Sequence, residues 1–173
     1  MKGDTSYMKE AINLLYKRRS IRKFTPQTVT EEQIETLLRA AMAAPMSNHK
    51  YLSELIVVTD RAMLDQLAET HRYTKMLKEA TLCMIVCGEK ANRAWEQDCA
   101  AATQNILLAA TGLGLGSVWL GIHPNPDSVA TVRGLLDIPD TYSPLCLIAI
   151  GYPAEYKDPS DRFDLARVHR GRW

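Results

Sequence analysis

Charge of a single sign is what this sequence has least of: 21 Lys and Arg stand against 20 Asp and Glu over 173 residues, a net charge of +1. That balance excludes a field over the whole surface of the kind that gathers nucleic acid. With aromatics at only 7%, no stacking platform for single strands interleaves the basic residues either. Four cysteines (Cys83, Cys87, Cys99, Cys146) are too few and too scattered for a disulfide framework. No second pair and no histidine at ligand spacing accompanies Cys83 and Cys87, so they read as small hydrophobes buried in a reducing compartment, not as a zinc site. His49, His71, His123 and His169 form no i, i+4 pair, and no metal is expected. There is no Gly-x-Ser-x-Gly elbow, and Ser20 and Ser47 have no evident base, which leaves no candidate catalytic residue. The opening Met1-Lys2-Gly3-Asp4-Thr5-Ser6 lacks an apolar signal core, so a cytoplasmic location is the expectation.

Residues 99–126 carry no Asp, Glu, Lys or Arg. A membrane span needs about 20 continuous apolar helical residues. Here Gly112, Gly114, Gly116, Gly121, Pro124 and Pro126 interrupt the run, and Gln104 and Asn105 sit inside it. The stretch reads instead as a helix over 94–111, buried on nearly all sides, followed by a buried strand at 117–122. A helix apolar all round in so short a chain suits packing against a second copy of itself. Helical spacing also marks 7–17, a segment capped by Thr30 and ended by Pro45, 61–72 and 127–136. Apolar runs mark strands at 55–59, 81–87 and 145–150. No linker divides the chain. One α+β domain over residues 1–173 is expected, with a polar tail from about 153 draped on its own surface or on a partner.

What is present is local. Five basic residues (Lys17, Arg18, Arg19, Arg22, Lys23) fall within positions 17–23, and no acid occurs between Glu10 and Glu31. Guanidinium groups grip phosphate oxygens bidentately and a serine hydroxyl adds a donor, so Arg18, Arg19, Ser20 and Arg22 on a short turn suit a phosphate dianion. A solvated helix end, with Lys17 and Arg18 complementing the dipole, is the alternative. Gly112-Leu113-Gly114-Leu115-Gly116 has the look of a dinucleotide loop, but such a loop follows a strand and opens a helix, and here the order is reversed. These glycines read as a helix C-cap with close backbone packing. A phosphate site without an acid, base or nucleophile points to a cofactor that carries the chemistry.

Arg18-Arg19-Ser20-Ile21-Arg22-Lys23-Phe24 opens a series that continues through Ala40 to Pro45, Ile56-Val57-Val58, Asp98 to Ala110 and the glycine run. Val118-Trp119-Leu120-Gly121, Ile150-Gly151-Tyr152-Pro153 and Asp161-Arg162-Phe163-Asp164, with His169 and Trp173, complete it. In this order, over nearly the whole chain, the series resembles the FMN-dependent nitroreductase family. The resemblance implies a homodimer built on a mixed, mainly antiparallel central sheet flanked by helices. It places the uncharged helix and FMN at the dimer interface, with the C-terminal tail packing on the partner subunit. Arg18, Arg19 and Ser20 match positions that hold the FMN phosphate and ribityl chain, and Arg22 a basic position near the pyrimidine edge. Met46, Ser47 and Asn48 fall in the loop that contacts the flavin. Val118, Trp119, Leu120 and Gly121 match the strand end against the isoalloxazine ring, and Arg172 a second phosphate contact reaching the other subunit's cofactor. The implied activity is hydride transfer from NAD(P)H through the flavin to nitroaromatic, quinone-like or related small electrophilic acceptors. One departure stands out: where the family carries Asn-x-Gln-Pro-Trp, this chain has His49, Tyr51, Leu52 and Ser53, and Asn48 takes the Asn position if the loop shifts by one residue. A flavin reductase with an altered 46–53 loop, or a flavin-binding sensing module without turnover, are the alternatives.

Overall fold

Alternation along two long apolar strands divides the core in half. On the strand Leu82–Glu89, Leu82, Met84 and Val86 join one buried cluster, whereas Cys83, Ile85 and Cys87 join another. On Tyr142–Gly151, Cys146, Ile148 and Ile150 side with the first cluster and Leu147 and Ala149 with the second. Successive side chains on a strand point to opposite faces, so both faces of this sheet are covered. That double burial is why the strands read as continuous apolar runs without polar interruption.

The computed structural model describes residues 5–47 and 53–173, with backbone only for 5–10. The elements run α1 (Thr5–Lys17), α2 (Glu31–Met42), β1 (Ser53–Val58), α3 (Arg61–Leu67), β2 (Leu82–Glu89), α4 (Trp95–Gly112), β3 (Gly116–Gly121), α5 (Pro126–Leu135) and β4 (Tyr142–Gly151). The four strands form one antiparallel sheet in the order β1-β2-β4-β3. Among the described residues, parallel pairing is confined to a single bridge between Ser20 and Ser117. The expected α+β class with a mainly antiparallel sheet is what is found. Ile34, Leu37 and Ala41 of α2 and Ala102, Ile106 and Ala110 of α4 cover one face. Leu64 and Leu67 of α3 and Val132 of α5 cover the other.

Local chemistry fixes the helix ends. Thr30 accepts from the Gln33 backbone and Gln33 accepts from the Thr30 backbone, the capping box its spacing predicts. Asp60 and Asn125 cap α3 and α5 by the same side-chain device. At the end of α4, Leu115 N–H reaches back to Ala110 O at 2.8 Å and Gly114 takes φ 73°, so the expected C-cap glycine is Gly114.

Two expectations are corrected. The helix predicted over 61–72 stops at Leu67. The fully buried Thr74 hydroxyl donates to Ala68 O at 3.0 Å and to His71 O at 2.7 Å, offering the backbone a turn where a helix had been anticipated. Nor is α4 buried on nearly all sides within one chain. Gln97 and Gln104 are exposed and Ala101, Leu108 and Thr111 half-buried, all on one stripe at helical spacing, because α2 and the sheet cover the rest and little lies across this face. Leu14 of α1 packs against Gly112, yet α1 leaves Ile12, Leu15 and Tyr16 exposed.

Candidate functional site

The basic loop is laid directly on the edge strand. α1 closes with Arg18 N–H on Leu14 O at 3.0 Å; the chain then extends, Ser20 bridging Ser117 and Ile21 N–H reaching Ser117 O at 3.0 Å. Gly116 permits this approach, since a Cβ there would lie 2.7 Å from Ile21 Cγ2. Arg18, Arg19 and Ser20 are thereby brought to the first residues of β3. Arg18 is half-buried, and its pKa is held below the usual arginine value by burial first, then by Arg162 and Arg19. Among the described residues, neither Arg18 nor Arg19 forms an ion pair with a carboxylate. Arg19 Nη1 donates to Asp158 O at 2.7 Å. Lys157, which sequence reasoning did not single out, donates to Ser20 O at 2.8 Å and pairs with Glu155 at 3.0 Å. Glu155 also accepts from Arg22 N–H at 2.6 Å, and its carboxyl sits below the ordinary range, chiefly through that bond. The Arg22 residue itself is exposed.

Along β3 the candidate residues divide by face. Val118 and Leu120 are buried in the core on the α3 and α5 side, so their side chains cannot receive a ligand. Trp119 is 37% exposed, and a Cβ at Gly121 would meet nothing within 4 Å. A flat ligand on this edge would therefore meet backbone, Trp119 and the open space at Gly121. Gly121 O is bonded to His71 Nε2 at 3.2 Å; because Tyr73 N–H donates to His71 Nδ1 at 3.0 Å, the ring proton is on Nε2 and is donated to Gly121. His71 gave no sequence signal beyond being a lone histidine.

Met46 and Ser47 lie elsewhere, at the opposite end of α4. Ser47 donates its N–H to Asp98 Oδ1 at 3.0 Å and its hydroxyl to Oδ2 at 2.8 Å, and Asn92 adds a third bond at 2.9 Å. Burial alone would raise the Asp98 pKa; the bonds from Ser47 and Asn92 outweigh it and hold the carboxyl below its ordinary value. Asp98 and Gly112 are about 20 Å apart along α4 at 1.5 Å per residue, which separates the Ser47 end from the Arg18 end. Asn48 lies outside the described residues, as do His49, Tyr51 and Leu52. Arg172 is exposed in a tail that also presents Phe163, Leu165, Val168 and Trp173, and no described hydrogen bond or ion pair joins it to Arg18–Arg22. A cavity of about 830 Å³ opens between the end of α1, mid-α4 and the tail, with Arg18, Gln104, Arg162 and Phe163 in its wall. Of the candidate residues, Arg18 alone lines it.

The cysteines are free and buried, and burial pushes Cys99 up to about 11 and Cys87 and Cys146 up to about 12, so these remain thiols. Among the described residues no helix is long and apolar enough to cross a membrane, and no group of three His, Cys, Asp or Glu could hold a metal.

The nitroreductase family model matches residues 15–72 and 62–152, most of the chain. The chain belongs to the nitroreductase family. It is 40% identical over 174 residues to an inferred NADH dehydrogenase/NAD(P)H nitroreductase of Archaeoglobus fulgidus, spanning 96% of this chain and all of that one (100%). A similarly named protein of Parabacteroides distasonis ATCC 8503 superposes with a TM-score of 0.92 at 40% identity, over 95% of this chain and 99% of that one. An FMN-dependent nitroreductase of Clostridium difficile R20291 superposes at 0.90 and 33% identity, over 94% and 99%.

Proposed function

We propose that this protein is an FMN-dependent oxidoreductase that takes reducing equivalents from NADH or NADPH and delivers them to nitroaromatic, quinone-like or other small electrophilic acceptors. One observation carries the reading: Arg18 and Arg19 gather with Arg162 near Ser20, at the start of an edge strand, with no carboxylate on Arg18 or Arg19 among the described residues. Like charges held together are costly on their own, and a phosphate dianion turns that repulsion into paired attraction. The donor set therefore fits FMN, which when bound supplies two-electron exchange with a nicotinamide and with an acceptor. Arg18, Arg19 and Ser20 would hold its phosphate. The backbone of Val118–Gly121, with Trp119, would orient its ring, and the exposed Arg22 would set positive charge near the pyrimidine edge. Positioning and exclusion of water are all that these residues need to provide.

The same reading includes a second copy. The open stripe on α4 and the exposed Ile12, Leu15, Tyr16, Phe163 and Trp173 favour burial against another protomer. A two-fold crossing of α4 helices would carry the partner's Ser47 end towards this chain's Arg18 end, with Met46, Ser47, Asn48 and Arg172 completing the site between copies. The four free thiols agree with the reducing environment of the cytoplasm.

The test is spectroscopic. The purified protein should be yellow and should bleach on addition of NADH or NADPH without oxygen; protein that stays colourless after FMN is supplied overturns the reading. Arg18→Ala with Arg19→Ala should lower FMN affinity at least tenfold, taking about 1.5–3 kcal/mol per charged contact.

A further inference from the structure

The turn that replaces the end of the anticipated helix at 61–72 is built as a rigid mount. Thr74, fully buried, donates to Ala68 O and His71 O and accepts from His71 N–H at 3.2 Å. The His71 ring is fixed at both nitrogens, by Tyr73 N–H and by Gly121 O, and stands edge-on to the Tyr73 ring at 5.9 Å. Arg72, between them, lies over the Tyr73 ring with its Cζ 4.5 Å from the centroid, and Tyr73 is 59% exposed. The neighbouring cations each have a carboxylate partner: Lys75 and Lys78 share Glu69, and Arg61 pairs with Asp65 at 2.9 Å. Among the described residues Arg72 has no carboxylate partner. A guanidinium drawn to an aromatic face keeps N–H donors that can receive a phosphate.

His71, the residue before this unpaired cation, contacts the Gly121 end of β3, whereas Ser20 of the basic loop contacts the Ser117 end, about 13 Å along the strand at roughly 3.3 Å per residue. The loop that carries Arg72 is thus anchored to a different part of the strand from the Arg18–Ser20 cluster. A nicotinamide dinucleotide has anionic groups of its own, and its reactive ring must reach the flavin near Gly121. We propose that Arg72, set over the Tyr73 ring next to the anchored His71, receives a phosphate group of the nicotinamide reductant. The proposal rests on the FMN reading above.

The experiment is steady-state kinetics of the FMN-loaded enzyme with NADH and with NADPH, for wild type, Arg72→Ala and Arg72→Glu. Arg72→Ala should raise KM at least fivefold and Arg72→Glu at least tenfold, with kcat, FMN affinity and the visible flavin spectrum unchanged. A rise for both reductants assigns the contact to the shared pyrophosphate, and a rise for NADPH alone to its 2′-phosphate. An unchanged KM for both in enzyme that bleaches normally overturns this proposal and leaves the FMN reading standing. Loss of FMN in parallel with the KM change also overturns it, since Arg72 would then act through the flavin or the fold. Wild-type protein that binds no FMN defeats the underlying reading, and this proposal with it.

Discussion

Asp98 opens α4 as a buried carboxylate, 8% exposed, that receives three hydrogen bonds from Ser47 and Asn92. A charged acceptor of this kind contributes about 1.5–3 kcal/mol per bond-forming group when its partners would otherwise be left unsatisfied. Asp98→Asn keeps the shape but turns an amide N–H towards donors, so a loss of about 2 kcal/mol in urea unfolding at pH 7 is expected. The sign of its pH dependence follows from the lowered pKa. The stabilisation is complete above the unfolded carboxyl value of about 3.9 and disappears as pH falls through the lower folded value. The gap between wild type and Asp98→Asn should therefore hold steady from pH 8 to 5 and close below about pH 4; a gap unchanged at pH 3 would deny the charge its role. None of this was legible locally. An acid in the first turn of a helix reads as a partner of the dipole, and nothing near position 98 announces that its donor is Ser47. His71 was hidden for the same reason: its significance lies in Gly121, fifty residues on.

At the scale of elements, sequence and structure agree where the physics is local. Thr30 with Gln33, and the apolar runs at 81–87 and 145–150 that become Leu82–Glu89 and Tyr142–Gly151, state their roles within a few residues. The strand order β1-β2-β4-β3 depends on pairings up to 68 positions apart (Leu82 with Ile150), and the seating of the basic loop on β3 on one 97 positions apart (Ser20 with Ser117), which no local pattern encodes. The open stripe of α4 is a related case: composition records that the helix is uncharged, but not what covers it. β3 itself offers a contrast between two glycines. Gly116→Ala drives a Cβ into Ile21 and should cost about 1–3 kcal/mol, lowering the apo Tm and, by displacing Ser20, the FMN affinity together. Gly121→Ala meets open space, so the apo Tm should hold or rise slightly, as expected from about 0.5–1 kcal/mol of glycine entropy. FMN affinity should nevertheless fall. FMN titration and thermal melts of the two variants separate these outcomes, and wild-type affinity in Gly121→Ala would remove the ring from this end of the strand.

At the scale of the molecule, a chain with a net charge of +1 concentrates cations at the Arg18 end of α4 and leaves the helix face between the Arg18 and Ser47 ends without charge. About 20 Å of helix separates the two ends, so one FMN gripped at Arg18 is better completed by the Ser47 end of a second copy than by its own. This arrangement can be distinguished from a site contained in one chain by complementation. Arg18→Ala with Arg19→Ala removes the phosphate grip. Ser47→Asp sets a second carboxylate against Asp98 and displaces the loop that carries Met46 and Ser47. Each variant alone should sediment at twice the 19.4 kDa chain mass yet bind FMN poorly. After the two are unfolded and refolded together, half the dimers are mixed. In a site shared between copies, each mixed dimer regains one intact Arg18–Ser47 combination, so roughly a quarter of all sites should bind FMN and bleach with NADH or NADPH. In a site built from one chain every combination keeps a defect, and the mixture would bind no more than its parents.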